Sequence, residues 1–187
     1  MNKPLLIALV CLLVSCGIPS HTRSKINIAE FNAKQVHDTV RLSLIHNIEL
    51  IETRLPDGSF LATSIHPGYV DNWASYYYPS GNLKSSVSTA HGFKHGKSPL
   101  YNENGDLVSI TDYDTPFKIS LNRLSAKFAF GYGLDIFKQG TSIIRSTEET
   151  PVYKITIPIN TPEGNKARRF IVDGITGKML SDIITTQ

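Results

Sequence analysis

Thiols are almost missing from this chain. Its two cysteines, Cys11 and Cys16, both fall within the first sixteen residues. The remainder therefore has no sulfur to form a disulfide, hold zinc or act as a nucleophile, and it must fold on its core alone. Long apolar runs are missing too: the longest, Leu5 to Val14, is half of the ~20 residues a membrane-spanning helix needs. No charge dominates, since a formal balance of +3 at pH 7 is too weak to argue for nucleic acid or anionic lipid as a partner. Neither Gly-x-Ser-x-Gly nor His-Glu-x-x-His occurs. The stretch "HGFKHGKSPL", His91 to Leu100, imitates a phosphate-binding loop but places three residues between Gly92 and Gly96, where that loop needs four. Pro99 and "YNENGDL" then follow, a turn where the loop would open a helix.

What is present begins with an export signal: Lys3 as the positive start, then the short apolar run. It ends in "LVSC", Leu13 to Cys16, which resembles the lipobox of bacterial lipoproteins. That resemblance implies a signal peptide over residues 1–15 and a lipid anchor on Cys16. The absence of Asp at Gly17 implies sorting to the outer membrane, facing the periplasm or the surface. "GIPSHTRSK", Gly17 to Lys25, is polar and proline-broken, the composition of a flexible tether, and residues 16–35 are expected to form this tether and an N-terminal segment.

The middle of the chain repeats. "LPDGSFLAT" from Leu55, "YPSGNLKSS" from Tyr78 and "NENGDLVSI" from Asn102 align on Gly58, Gly81 and Gly105, spaced by 23 and 24 residues. Each glycine follows turn-prone residues and precedes a large apolar residue: Phe60, Leu83, Leu107. Alternate positions beyond are small or short (Ala62, Ser85, Ser109, then Ser64, Val87, Thr111), a period-two pattern that puts them on one strand face. Glycine after Asp, Ser or Asn supplies the positive φ of a tight hairpin, and a fixed period predicts stacked hairpins that cover one another.

"YYYPSGNLKSS" and "HGFKHGKSPLYNENGDLVS" resemble the variant MORN repeat of bacterial proteins described as YwqK-like antitoxin components. Gly81, Leu83, Lys84, His95, Gly96, Lys97, Tyr101, Asn104, Gly105 and Leu107 fall on that pattern. The first copy departs from it, with Leu55 for the tyrosine and "HPGYVDNW" for Lys-His-Gly-Lys, so two or three repeats are expected over residues 36–114. Lys94 to Lys97 is then the polar connection between two hairpins. The resemblance implies a protein partner, a toxin or effector that this chain neutralises.

Beyond Asp114 the texture changes. Ser120 is a good N-cap, Leu121, Leu124 and Phe128 share a helical face, and Gly131 is placed to end the helix. Tyr153 to Ile159 alternate, "NTPEGN" turns the chain, Phe170 and Val172 return it, Asp173-Gly174 and Thr176-Gly177 turn it again, and Met179 to Ile184 closes. This predicts a helix on a three- to four-stranded antiparallel sheet over residues 115–187. "RRFIVDGITGKML" resembles the closing hairpin of PepSY-type domains, which implies restraint of a peptidase or binding of envelope polymer. Between Ile26 and Arg54, Val40, Leu42 and Leu44 alternate, as do Ile48 and Leu50, giving two strands with a turn at His46-Asn47; the rival is an amphipathic helix from Ala29 to Val40. The fold class expected is α+β, mostly antiparallel β.

The candidate chemistry is sparse. His91 and His95 share a face only on a helix, and no cysteine or carboxylate nearby completes a metal set, so both read as solvated turn histidines. Asp112 and Asp114 read as surface and turn carboxylates, without a calcium-loop pattern. No cofactor, metal or catalytic group is expected, although a Ser/His/Asp triad from distant residues stays open. Alternation through Trp73, Tyr76, Tyr77 and Tyr78 sends at least one of three consecutive tyrosines outward. With Lys94, His95 and Tyr101 these are the candidate partner-binding residues, because Tyr and Trp beside cations make good anchors.

Overall fold

The computed structural model describes residues 23–43, 47–162 and 164–186. The lipobox and Cys16 lie outside the described residues, as do Leu44 and His46. The chain is α+β, with a large eight-stranded antiparallel sheet followed by a helix packed on a four-stranded antiparallel sheet. Among the described residues no helix is long and apolar enough to cross a membrane.

The large sheet contains β1 (Thr39–Ser43), β2 (Glu49–Arg54), β3 (Phe60–Ile65), β4 (Asp71–Tyr77), β5 (Leu83–Ala90), β6 (Phe93–His95), β7 (Lys97–Tyr101) and β8 (Leu107–Asp112). They lie in the order β1-β2-β3-β4-β5-β7-β8, with β6 paired to β5. The three turn glycines have φ of 81°, 81° and 90°, and none lies in a helix. Each turn is closed the same way: Gly58, Gly81 and Gly105 donate to the carbonyls of Leu55, Tyr78 and Asn102, whose own N–H groups bond to Ser59, Asn82 and Asp106. Three copies of one turn geometry are therefore present, including the divergent first. A tight turn closed by a residue at positive φ matches the twist of the strands it joins.

Past the turns the copies differ. In the first, Arg54 pairs with Phe60 and Thr53 with Leu61 without interruption. In the second, Tyr77 pairs with Leu83 but Tyr76 with Ser85, and in the third Tyr101 pairs with Leu107 but Leu100 with Ser109. Lys84 and Val108 are thus bulged residues, and each extra residue reverses the alternation behind it. The single-face expectation holds for Phe60, Ala62 and Ser64; Ser85, Val87, Ser109 and Thr111 are turned to the opposite face.

One face of this sheet, here the inner face, carries Val40, Leu50, Phe60, Ala62 and Tyr77 in a buried cluster with Ile26 and Phe31. Phe31 comes from α1 (Ile28–Lys34), which Asn27 caps at the N-terminus. The stretch before Arg54 thus contains both rivals, a shorter helix and then the two strands, because the backbone turns extended at Gln35 and ends the helix, and His37 and Asp38 at φ 49° and 58° turn the chain into β1. The end of the expected tether is also fixed. Ser24 accepts from the Leu83 N–H and Ile26 donates to Gly81, while the Tyr77 hydroxyl donates to Arg23 at 3.1 Å.

The second sheet, β12-β11-β10-β9, comprises β9 (Ser142–Ser146), β10 (Val152–Thr161), β11 (Gly164–Asp173) and β12 (Met179–Thr186). Its inner face packs Ile143, Tyr153, Ile155, Phe170 and Val172 against Leu121, Leu124 and Phe128 of α2 (Leu121–Tyr132). Burying each such side chain contributes about 1.5–3 kcal/mol. Ser120 caps α2 as expected, but the left-handed C-terminal residue is Gly133 rather than Gly131, which stays helical.

The same core reaches the large sheet through Ala90 and Phe93. Arg145 closes the junction: it contacts the Asp114 carboxylate at 2.5 Å, donates to the Tyr113 carbonyl at 2.8 Å, and lies over Phe93, Phe117 and Tyr153. Asp114 is buried there, so it is not the surface carboxylate its neighbours suggest. Asp112 does serve a turn, accepting from the Asp114 N–H.

Candidate protein-binding surface

The outer face of the large sheet is built by ladder register alone. Thr53 pairs with Leu61, Leu61 with Tyr76, Tyr76 with Ser85, Ser85 with Leu100, and Leu100 with Ser109. Cross-strand partners share a face, so these six side chains form one row across six strands. A second row runs Ile51, Thr63, Ala74, Val87. Neither row contains a charge. Arg41 and Glu49, bridged at 2.8 Å, mark one margin of the face and Lys94 the other. None of the ten residues in the two rows is buried, whereas α1 and the C-terminal unit both pack on the inner face.

Tyr76 is the aromatic that the register turns outward, at 40 % exposure. Tyr77, its neighbour, points into the core and burial raises its hydroxyl pKa. It is an inner-face residue and no surface anchor. Tyr78 leaves the strand, donates its hydroxyl to the Tyr101 carbonyl at 2.9 Å and receives Lys84 over its ring. Tyr78 and Tyr101 thereby brace the second turn against the third, and both are half-buried. Trp73 packs partly on the inner cluster.

Where the β3–β4 connection rises from the sheet, it walls a cleft of about 390 Å³ lined by Thr63, Ile65, His66, Tyr69, Asn72 and Trp73 among others. His66 and Tyr69 stack with ring centres 4.0 Å apart. The cleft opens beside the uncharged rows, since Thr63 and Ala74 belong to both.

Lys94 is exposed and lies over the Tyr113 ring at 5.2 Å. His95 next to it is 7 % exposed and stacks on Phe137. The hairpin turn is at His91-Gly92, both at positive φ (50° and 82°), as a two-residue turn of this hand requires. Lys94 and His95 therefore belong to strand β6, and the connection expected at residues 94–97 reduces to the bend at Gly96. His95 is buried rather than solvated, and His91, half-buried at the turn, bonds its Nε2 to the Ile136 carbonyl at 2.9 Å. Burial pulls both imidazole pKa values down, opposed at His95 by Asp114 and at His91 by backbone carbonyls.

Residue chemistry alone does not find Leu61 and Leu100, which share the row of Tyr76, or His66 and Tyr69, which wall the cleft. The signal that exists is strand alternation out of phase with Phe60 and Ala62, and the two bulges scramble it. Among the described residues no group of three or more His, Cys, Asp or Glu is placed to hold a metal ion. No family model, no curated protein and no solved structure matches the chain.

Proposed function

We propose that this chain is a lipid-anchored, non-enzymatic binding protein of the bacterial envelope that neutralises a partner protein, as an antitoxin or immunity factor does. The observation that carries the reading is the uncharged row Thr53-Leu61-Tyr76-Ser85-Leu100-Ser109, left uncovered by the described residues on a sheet whose other face packs α1 and the C-terminal unit. The mechanism is occlusion. Tyr76 and Leu100 anchor the partner's surface, and a protruding partner side chain fills the adjoining cleft, as binding energy concentrates in a few buried anchors. The antitoxin role is the one that the resemblance to variant MORN repeats implies.

The test is reciprocal. The mature chain and a Tyr76→Glu, Leu100→Glu variant are used to capture partners from cells, and each captured protein is assayed alone and with purified chain. A partner whose activity is silenced by the parent and not by the variant supports the reading; equal capture by both removes it. Labelled palmitate incorporation that a Cys16→Ser change abolishes tests the anchor.

A second reading is favoured by Phe130, which is 93 % exposed on α2. A regulatory role for the C-terminal half, restraining a peptidase or holding envelope polymer, would use that ring. Loss of capture on Phe130→Ser with the outer face intact would select it.

A further inference from the structure

Among the described residues β8 ends the large sheet, pairs only with β7, and has no partner on its other backbone edge. All six of its residues are exposed, with Leu107, Val108 and Ile110 at 54 %, 61 % and 54 %. Unpaired strand edges recruit other strands, and proteins usually blunt them with proline, a mid-strand charge, a bulge or a cover. The sheet's opposite edge, β1, is blunted in this way: Arg41 stands at its centre and Val40 is buried in the inner cluster. In the second sheet β12 also exposes aliphatic residues, but Asp182 stands at its middle in a two-bond pair with Arg168. Between Asp106 and Asp112, β8 reads Leu-Val-Ser-Ile-Thr, with no charge and no proline; its bulge at Val108 lies next to the turn and leaves Ser109 to Asp112 in regular register.

Its flanks are acidic. Glu103, Asp106 and Asp112 are all exposed, and the base nearest in register is Lys97, opposite Asp112. This argues against a second copy as the occupant. Pairing two β8 strands antiparallel about Ser109 sets Asp106 of each copy against Asp112 of the other, and the strand contains no base to offset them.

We propose that the free edge of β8 takes an extended strand of a partner protein, aliphatic in the middle and bearing Lys or Arg at both ends, by addition to the sheet. Main-chain hydrogen bonds supply affinity and the terminal charges select the partner. This rests on the chain being a protein-binding module and adds the chemistry of what it binds.

The probe is a labelled peptide, Lys-Thr-Val-Thr-Val-Thr-Lys with blocked termini, against its twin with Glu at both ends. Each is titrated by anisotropy into the full chain and into an Ile110→Lys variant whose fold is checked by circular dichroism. The expected result is that the basic peptide binds at least about tenfold more tightly than the acidic twin at low salt, with the margin shrinking at high salt. Amide exchange over Leu107 to Asp112 slows on binding, and Ile110→Lys abolishes it. Equal affinity for the two peptides, no binding at millimolar peptide, binding indifferent to Ile110→Lys, or a chain dimer through β8 would each overturn the proposal. The outer-face reading is tested separately by Tyr76→Glu and Leu100→Glu, so it can stand while this one fails.

Discussion

The four-stranded sheet lies under a twelve-residue helix, and its core is Tyr153, Ile155, Phe170 and Val172 against Leu121, Leu124 and Phe128. The eight-stranded sheet is covered piecemeal, by the short α1 at one end and by the C-terminal unit at the other, and it keeps Glu52, Ser64, Ser75 and Ser86 among its buried residues. A repeat solves burial by lateral extension, each hairpin leaning on the next, and needs no thick core. A helix on a sheet solves it by layering. The first design leaves one face and one edge uncovered by the described residues, so the half with the poorer core is also the half with the larger open sheet surface.

If the C-terminal unit owes its stability to layering, truncating its centre should have the largest effect. Phe128 is fully buried, edge-on to Phe170 with ring centres 4.9 Å apart. Phe128→Ala should cost about 3–5 kcal/mol, read as a fall in the urea midpoint. The comparison sharpens if tryptophan fluorescence, reporting Trp73 alone, keeps its own transition while far-ultraviolet dichroism shifts. A single shared transition would mean the two units unfold as one.

The next test asks what holds the units together. Arg145→Met leaves the Asp114 carboxylate without its cation among Phe93, Phe117 and Tyr153. Breaking a pair this sheltered costs about 3 kcal/mol or more. Burial already drives the Tyr153 hydroxyl pKa up to about 12, so this environment does not welcome an orphan charge. The double change Arg145→Met, Asp114→Leu should recover much of the loss. Failure to recover would mean that Arg145 acts through its stacking and its bond to Tyr113.

How much of this was legible in the chain depends on how local each feature is. Gly58, Gly81 and Gly105 announce their turns because a positive φ has a residue-type signature, and Ser120 announces its helix for a similar reason. The bulges at Lys84 and Val108 have none: one extra residue looks the same in sequence whether or not its partner strand matches it. Arg145 and Asp114 are 31 positions apart, so nothing nearby marks either as the other's partner. His95 reads as a turn residue because glycines flank it, yet the chain had already turned at His91-Gly92. β9 leaves little trace in the sequence because its five residues, Ser142–Ser146, hold one inward aliphatic residue, too few for alternation to register. The outer face was half legible, in Tyr76 but not in Leu61 or Leu100.

Acid should act oppositely on the two regions. His91 and His95 at the junction have folded pKa values below their usual 6.5 because burial disfavours the imidazolium. The unfolded chain therefore takes up more protons, and their contribution to stability, complete above 6.5, is lost as pH falls toward the folded values. Protonated His95 would meet Arg145 as well as Asp114, with Asp71 and His91 further groups in its field. Glu52 in the repeat sheet is the reverse. Burial raises its pKa above 4.5 against the pull of Arg23 at 3.5 Å, so protonation there relieves a penalty and stability rises as pH falls through that window. Unfolding followed between pH 7.5 and 5 should show the junction weakening first, and His95→Phe should flatten that slope. A slope unchanged by the substitution would place the proton uptake elsewhere.

The smallest effect is the most diagnostic of the thin repeat core. Ser86 is buried opposite Ser75, and its hydroxyl has no hydrogen-bond partner among the described residues, while its carbonyl accepts from Ser98 at 2.6 Å. An unpaired buried hydroxyl is a cost to the fold of about 1 kcal/mol or more. Ser86→Ala keeps the carbonyl and removes the hydroxyl, so the urea midpoint should stay level or rise by the equivalent of up to ~1 kcal/mol. A fall larger than that would show the hydroxyl satisfied by ordered water. The inner face of the repeat sheet would then be wet where the C-terminal core is dry, and the contrast between lateral and layered burial would become one of solvent as well as of geometry.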